Sequence, residues 1–262
     1  MNEQLHITSV QNPRIKNLVL LETKSAERRR QGLFVAEGQR EIMHCVEAGY
    51  EIATLYICPD LQQQETVPEL KAGSIVTVSR QVYEKIAYRG TTEGMIAEVR
   101  TKERTLEGLR LKENPLIVVL ESVEKPGNLG AVLRSADAAG ADAVVVCDPL
   151  TDLYNPNLIR SSIGAIFTVP CIACSSEECI AFLKSRGIQI LTAQLQNSHL
   201  YYETDMKRPT AIVMGTESTG LTNQWREAAD AHIRIPMLGR LDSLNVSVSA
   251  AILLFEAVRQ RQ

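Results

Sequence analysis

Residues 115–123 read PLIVVLESV, an apolar run that stays almost unbroken until its acidic end. A strand with one wet face alternates polar and apolar side chains. A run without alternation fits a strand buried on both faces, as in a parallel sheet covered by helices. AVVVCD (143–148) repeats the pattern. Between the two, a helix is expected from Asn128 to Ala139, with Gly140 as its stop. Further along, Asn155-Pro156 starts another helix, and TVPCIA (168–173) reads as an edge or terminal strand because of Pro170. Ser175 and Glu178 have capping-box spacing for a helix ending at Gly187. IQILTA (188–193), TAIVMG (210–215) and HIRIP (232–236) are further strands, and a helix from about Ser243 to Arg259 closes the pattern. Strands alternating with helices predict an α/β domain built on a parallel sheet.

The first hundred residues form a smaller α/β pattern. Asn12-Pro13 opens a helix whose apolar stripe runs through Ile15, Leu18, Val19 and Leu21, with Gly32 as its expected end. LFVA (33–36), ATLYIC (53–58), IVTV (75–78) and GMIAEV (94–99) read as strands. Helices are expected over 37–49 and from Ser79 to about Tyr88. The charged segment RTKERTLEGLRLKEN (100–114) reads as a linker or short exposed helix. A boundary there gives domains at 1–105 and 106–262. The chain has 262 residues, 45% of them apolar, which suits one large or two smaller cores. No segment approaches the ~18 apolar residues that would span a bilayer. The first residues, MNEQLHITSVQNPRIKN, lack an apolar signal core, so a cytoplasmic protein without a membrane partner is expected.

Six cysteines are scattered, and Cys171, Cys174 and Cys179 form a small cluster with one C-x-x-C spacing. With no second such pair and no paired histidine nearby, buried or half-buried thiols are expected rather than a metal site. The net charge of −3 argues against a simple nucleic-acid-binding surface, yet residues 1–40 hold seven Lys/Arg against four acids. Arg14, Lys16 and the run Arg28, Arg29, Arg30 fit phosphate contact, and the run fits equally a solvated helix end.

In open parallel sheets, ligands bind beyond the carboxyl ends of the strands. Three loops fall at such ends: ESVEKPGNLGAVLRSADAAG (121–140), MGTESTGL (214–221) and IPMLGRLDSLNVSVSAA (235–251). Their glycines let backbone come close to a ligand. Asn128, Arg134, Glu217, Ser243 and Asn245 supply polar chemistry, although helix capping also accounts for the asparagines. G-N-L-G is not the G-x-G-x-x-G of a dinucleotide site, and Asp148, at the end of the next strand, stands only about 18 residues beyond Gly130 and does not make the ribose-binding pattern, which disfavours a nicotinamide or flavin enzyme.

Taken together and in this order, the three loops resemble motifs 1, 2 and 3 of the SpoU family of RNA ribose methyltransferases, within the SPOUT superfamily. The resemblance covers about residues 115–262. SVQNPRIKNLVLL, FVAEGQREI and EGMIAEV also resemble the small ribosomal-protein-like substrate-binding domain of many members. It implies a parallel α/β domain with a deep trefoil knot and a cytoplasmic homodimer that methylates a ribose 2′-hydroxyl of ribosomal or transfer RNA. S-adenosylmethionine is then the methyl donor. The matching positions imply Met214, Gly215, Ile235, Ser243, Leu244 and Asn245 as cofactor neighbours. They imply Arg134, Asn128, Glu217 and Asn245 as the catalytic set, with Arg134 acting as base or as phosphate clamp. A protein that keeps the fold and binds RNA without catalysis is the alternative.

Overall fold

The computed structural model describes residues 5–62, 70–88, 93–216 and 219–262. The chain forms two compact units, one of residues 1–103 with 154–164, the other of residues 104–153 with 165–262. The first opens with β1 (Leu5–Ile7), α1 (Pro13–Thr23), α2 (Ser25–Gln31), β2 (Leu33–Glu37) and α3 (Gln39–Glu47). It continues through β3 (Ile52–Ile57), β4 (Ala72–Val78), α4 (Arg80–Ile86) and β5 (Met95–Arg100). Its mixed sheet has the order β1-β4-β3-β5-β2, with β5 antiparallel to both neighbours. Ile15, Leu18 and Leu21 of α1 pack with Val35, Tyr56 and Ile96 in one core cluster.

Asn12 caps α1 by accepting from the Arg14 amide, as its sequence predicts. The single helix expected to reach Gly32 is instead two, because Lys24 takes extended backbone (φ −120°, ψ 108°). The break leaves carbonyls at the end of α1 without helical partners. Arg28 meets them: its guanidinium donates to the Leu21 and Glu22 carbonyls, and the residue is only 3% exposed. The expectation that Arg28 contacts phosphate is thereby corrected, since the side chain is spent on closing this corner.

The second unit begins with β6 (Leu116–Glu121), α5 (Pro126–Ala138) and β7 (Ala143–Cys147). The chain then contributes α6 (Pro156–Ser162) to the first unit. There Tyr154 stacks on Phe34, ring centroids 4.6 Å apart, and Gly164 lies against the ring of His44. The second unit resumes with α7 (Ala165–Thr168), β8 (Cys171–Cys174), α8 (Ser176–Ser185), β9 (Gln189–Ala193), β10 (His199–Leu200) and β11 (Thr210–Met214). It ends with α9 (Asn223–Ala228), β12 (Ala231–Arg234) and α10 (Val246–Arg261).

The seven strands are all parallel, in the order β10-β12-β9-β11-β6-β7-β8. Every residue of β6, β7 and β11 is buried, as their unalternating sequences predict. β8 is one of the two edge strands and starts only after Pro170. The charged 100–114 segment is less exposed than a linker, because Leu106 and Leu109 anchor it in the second unit's core. α10 starts later than expected, with Asn245 as its cap, and α5 starts earlier, with Pro126 in its first turn.

Glu22, half-buried at the end of α1, has its carboxyl raised from 4.5 to about 8, first by loss of solvent and then by the nearby Glu37 charge. Folding therefore favours its protonated form. Glu22 contributes fully to stability below about pH 4.5, and that contribution is lost as the pH climbs to about 8. Urea titrations from pH 5 to 8 should show stability falling in the wild type and falling less steeply in Glu22→Gln. Parallel profiles for the two proteins would contradict the assignment.

Candidate active site

The strand order reverses between β6 and β11, so the loops leaving these two strands diverge and open a crevice between them. Both loops are pinned at their bases. Glu121, the last residue of β6, is 3% exposed, and its carboxylate accepts from the Thr222 amide (2.9 Å) and the Thr222 hydroxyl (2.7 Å). Thr222 is the residue before α9. Beyond Glu121, Ser122 has a φ of 52°, a left-handed turn that carries the chain away from the sheet toward α5.

The loop after β11 folds back on itself. The Gly220 amide donates to the Thr216 carbonyl, and the Thr216 and Thr219 hydroxyls lie 2.7 Å apart. Gly215 stands where this fold is tightest: a Cβ there would lie 2.3 Å from the Gly220 carbonyl carbon and oxygen. Only glycine fits, and Gly220 itself has a φ of 67°.

Met214, Gly215, Ile235, Ser243 and Leu244 all line one cavity of about 370 Å³ at the carboxyl ends of β9, β11 and β12. Leu195, Ile233, Val246 and Leu253 give it apolar wall; Gln194, Thr216, Arg226, Arg234 and Asp242 give it polar edge. Asn245 is not in that lining. It caps α10 by accepting from the Ser247 amide, and its Nδ2 donates to Asn128 Oδ1 at 3.1 Å. Asn128 lines a smaller pocket of about 140 Å³ that shares Gly215, Thr216 and Val246 with the larger one. The three loops thus meet in one cleft. Asn128 sits within the first turn of α5 and does not cap it.

Arg134 is exposed on α5, roughly 9 Å further along the helix axis, and lines neither pocket. Glu217 lies outside the described residues. Arg14, Lys16, Arg29 and Arg30 are exposed on α1 and α2, and Arg30 is paired with Glu27.

Two further residues emerge from the structure alone. Glu121 has the Thr222 role just described. Gln194 presents a buried Oε1 that has no hydrogen-bond partner among the described residues. An unmet acceptor in a cavity wall is suited to a donor group on a ligand. A narrow slot beside a glycine, an apolar wall and an unmet acceptor fit a nucleoside ligand such as S-adenosylmethionine.

The SpoU rRNA Methylase family model matches residues 115–255, and the MRM3-like substrate binding domain model matches residues 12–97. The chain is 36% identical over 210 residues to the 23S rRNA (guanosine-2′-O-)-methyltransferase RlmB of Pectobacterium atrosepticum, covering 77% of this chain and 86% of that protein. It is 30% identical to the 23S rRNA (uridine(2479)-2′-O)-methyltransferase of Streptomyces viridochromogenes, over 97% of this chain and 92% of the other. Among solved structures, it superposes with a TM-score of 0.87 and 28% identity on the SpoU methyltransferase AviRb from Streptomyces viridochromogenes in complex with the cofactor AdoMet. That match covers 96% of this chain and 98% of the other.

A methyl group at position 215 would collide with backbone rather than with a movable side chain. Gly215→Ala should lose ~1–3 kcal/mol of stability in urea unfolding and weaken S-adenosylmethionine binding in calorimetry. Unchanged values for both would mean that the turn relaxes without cost.

Proposed function

This chain belongs to the SpoU rRNA Methylase family, and on that footing we propose that it methylates a ribose 2′-hydroxyl in 23S ribosomal RNA, using S-adenosylmethionine. The observation that carries the reading is the Asn128–Asn245 hydrogen bond, which joins the first and third loops beside the cavity bounded by the second. The inactive RNA-binding alternative draws no support from relatives that are themselves named methyltransferases.

Met214, Gly215, Ile235, Ser243 and Leu244 hold the donor, and Gln194 offers it a hydrogen-bond acceptor. Bound there, S-adenosylmethionine supplies a methyl group on a sulfonium, an electrophile for the ribose oxygen. The protein's contribution is to hold the hydroxyl in line with that methyl, which lowers the entropic part of the barrier. Asn128 and Asn245, linked to each other, orient the ribose at the cleft's mouth. Arg134 clamps the neighbouring phosphate; a guanidinium stays protonated and offers paired donors, so a clamp suits it better than a base. Glu217 keeps the catalytic position that its motif implies.

The first unit serves as the RNA reader, consistent with its likeness to the MRM3-like substrate binding domain. Arg14, Lys16, Arg29 and Arg30 carry its exposed positive charge on α1 and α2. A trefoil knot in the C-terminal segment accompanies the family reading. It is supported by the way Ile235, Ser243 and Leu244 share a cavity lining with Met214, Gly215 and Gly220. A homodimer is supported by exposed apolar side chains in this region: Val248 and Phe255, two turns apart on α10, and Leu241 and Leu244 just before it in the chain. Work on ribosomal RNA puts the protein in the cytoplasm, and no helix among the described residues is long and apolar enough to cross a membrane.

Mapping ribose methylation in total RNA with and without the gene tests the proposal and identifies the nucleotide. One missing 23S methylation is expected, and an unchanged map would reject the assignment. Arg134→Ala should abolish most methyl transfer while leaving S-adenosylmethionine affinity near that of the wild type, as calorimetry and single-turnover assays would show. Joint replacement of Arg14, Lys16, Arg29 and Arg30 by Ala should weaken RNA binding and flatten its dependence on salt. A slope identical to wild type would move the RNA-binding face elsewhere.

A further inference from the structure

The cysteines sort differently in space than in sequence. Cys171 and Cys174, the C-x-x-C pair, stand three residues apart on one strand and so point to opposite faces of the sheet. Cys174 instead pairs in register with Cys147, the last residue of β7. Cys179, in the first turns of α8, descends onto the same face. The sulfurs of Cys147, Cys174 and Cys179 all lie within 4.8 Å of one another. Cys147 and Cys179 are fully buried, and Cys174 is partly open to solvent at the sheet edge.

The surroundings hold this geometry firmly. Asp148 accepts from both the Ser176 amide and its hydroxyl, and Ser176 in turn accepts from the Trp225 indole. Ser175 and Glu178 close a full capping box at the start of α8. Both strand ends and the helix that carry the sulfurs are therefore fixed by hydrogen bonds to neighbouring groups. These bonds hold the backbone that carries the sulfurs, though none is made to a sulfur itself. A zinc–sulfur bond of ~2.3 Å implies sulfurs ~3.8 Å apart in a tetrahedral site, so the observed triangle needs little contraction. Soft thiolates select soft or borderline ions. A divalent ion offsets most of the charge of three thiolates, and Cys174 leaves an open side for water as fourth ligand.

We propose that Cys147, Cys174 and Cys179 form a zinc site that ties the edge strand β8 and helix α8 to β7. On binding, the three thiols release their protons to solvent as three Zn–S bonds form. The site lies on β7 and β8, beyond β6 from the donor cavity, so its role is to hold the sheet edge rather than to take part in methyl transfer.

The test uses the full chain, reduced and stripped with chelator, then titrated with zinc chloride or cobalt chloride. Native mass spectrometry should show a single ion per chain, and the cobalt form should show thiolate-to-metal charge-transfer absorption. Zinc should raise the thermal midpoint of the wild type by preferential binding to the folded state. Cys174→Ser, at the half-exposed position, removes a ligand outright and should weaken uptake by more than the ~10–100-fold that loss of an outer partner costs, with the absorption and the thermal shift reduced accordingly. The cobalt spectrum of the unaltered protein decides the matter even if that variant folds poorly. No uptake, uptake without thiolate absorption, equal uptake by a folded Cys174→Ser, or an air-formed disulfide among the three with no metal bound would each overturn the proposal.

Discussion

Glu121 ends β6 as a carboxylate almost shut off from water, and Thr222 meets it with a backbone amide and a hydroxyl. A buried ion is tolerated only when hydrogen bonds replace the water it gave up. Losing Thr222 would leave the charge stranded, so the end of the second loop is held at the end of β6. That one clamp fixes where the loop after β11 must return. Gly215 and Gly220 come so close there that only glycine fits at 215. The neighbouring Leu221 lines the cavity, so the clamp stands next to its wall.

The interior strands could be read from the chain because their environment is uniform. β6, β7 and β11 are covered on both faces, so all but the end residues Glu121 and Thr210 are apolar and the pattern needs no tertiary context. Caps were equally legible: Asn12, Asn155 and Ser175 each bond to an amide two or three residues away. What escaped depends on distant partners. β1 and β10 are strands only because β4 and β12 lie beside them, and the break at Lys24 carries no proline or glycine to announce it.

The same division holds in the cleft. Met214, Gly215, Ile235, Ser243 and Leu244 were found through loop composition and resemblance, and all five line one cavity. Glu121 gave no such signal, since its partner stands 101 residues later. Gln194 is an ordinary glutamine until its unmet oxygen is seen in the wall. The run of three arginines shows the limit of charge as a guide: Arg28 faces the protein, while Arg29 faces water and Arg30 is exposed but bound to Glu27.

The chain supplies the first unit in two instalments, residues 1–103 and then 154–164, with the opening βαβ of the other unit in between. Phe34 therefore waits for Tyr154, and His44 for Gly164. On a ribosome, which delivers residues from the amino end onward, this unit cannot finish when its own hundred residues emerge. Its last helix arrives only after β6, α5 and β7 have left the tunnel. The two halves must then mature together during translation, and neither can be swapped into another protein as a separate cassette by cutting at a single junction.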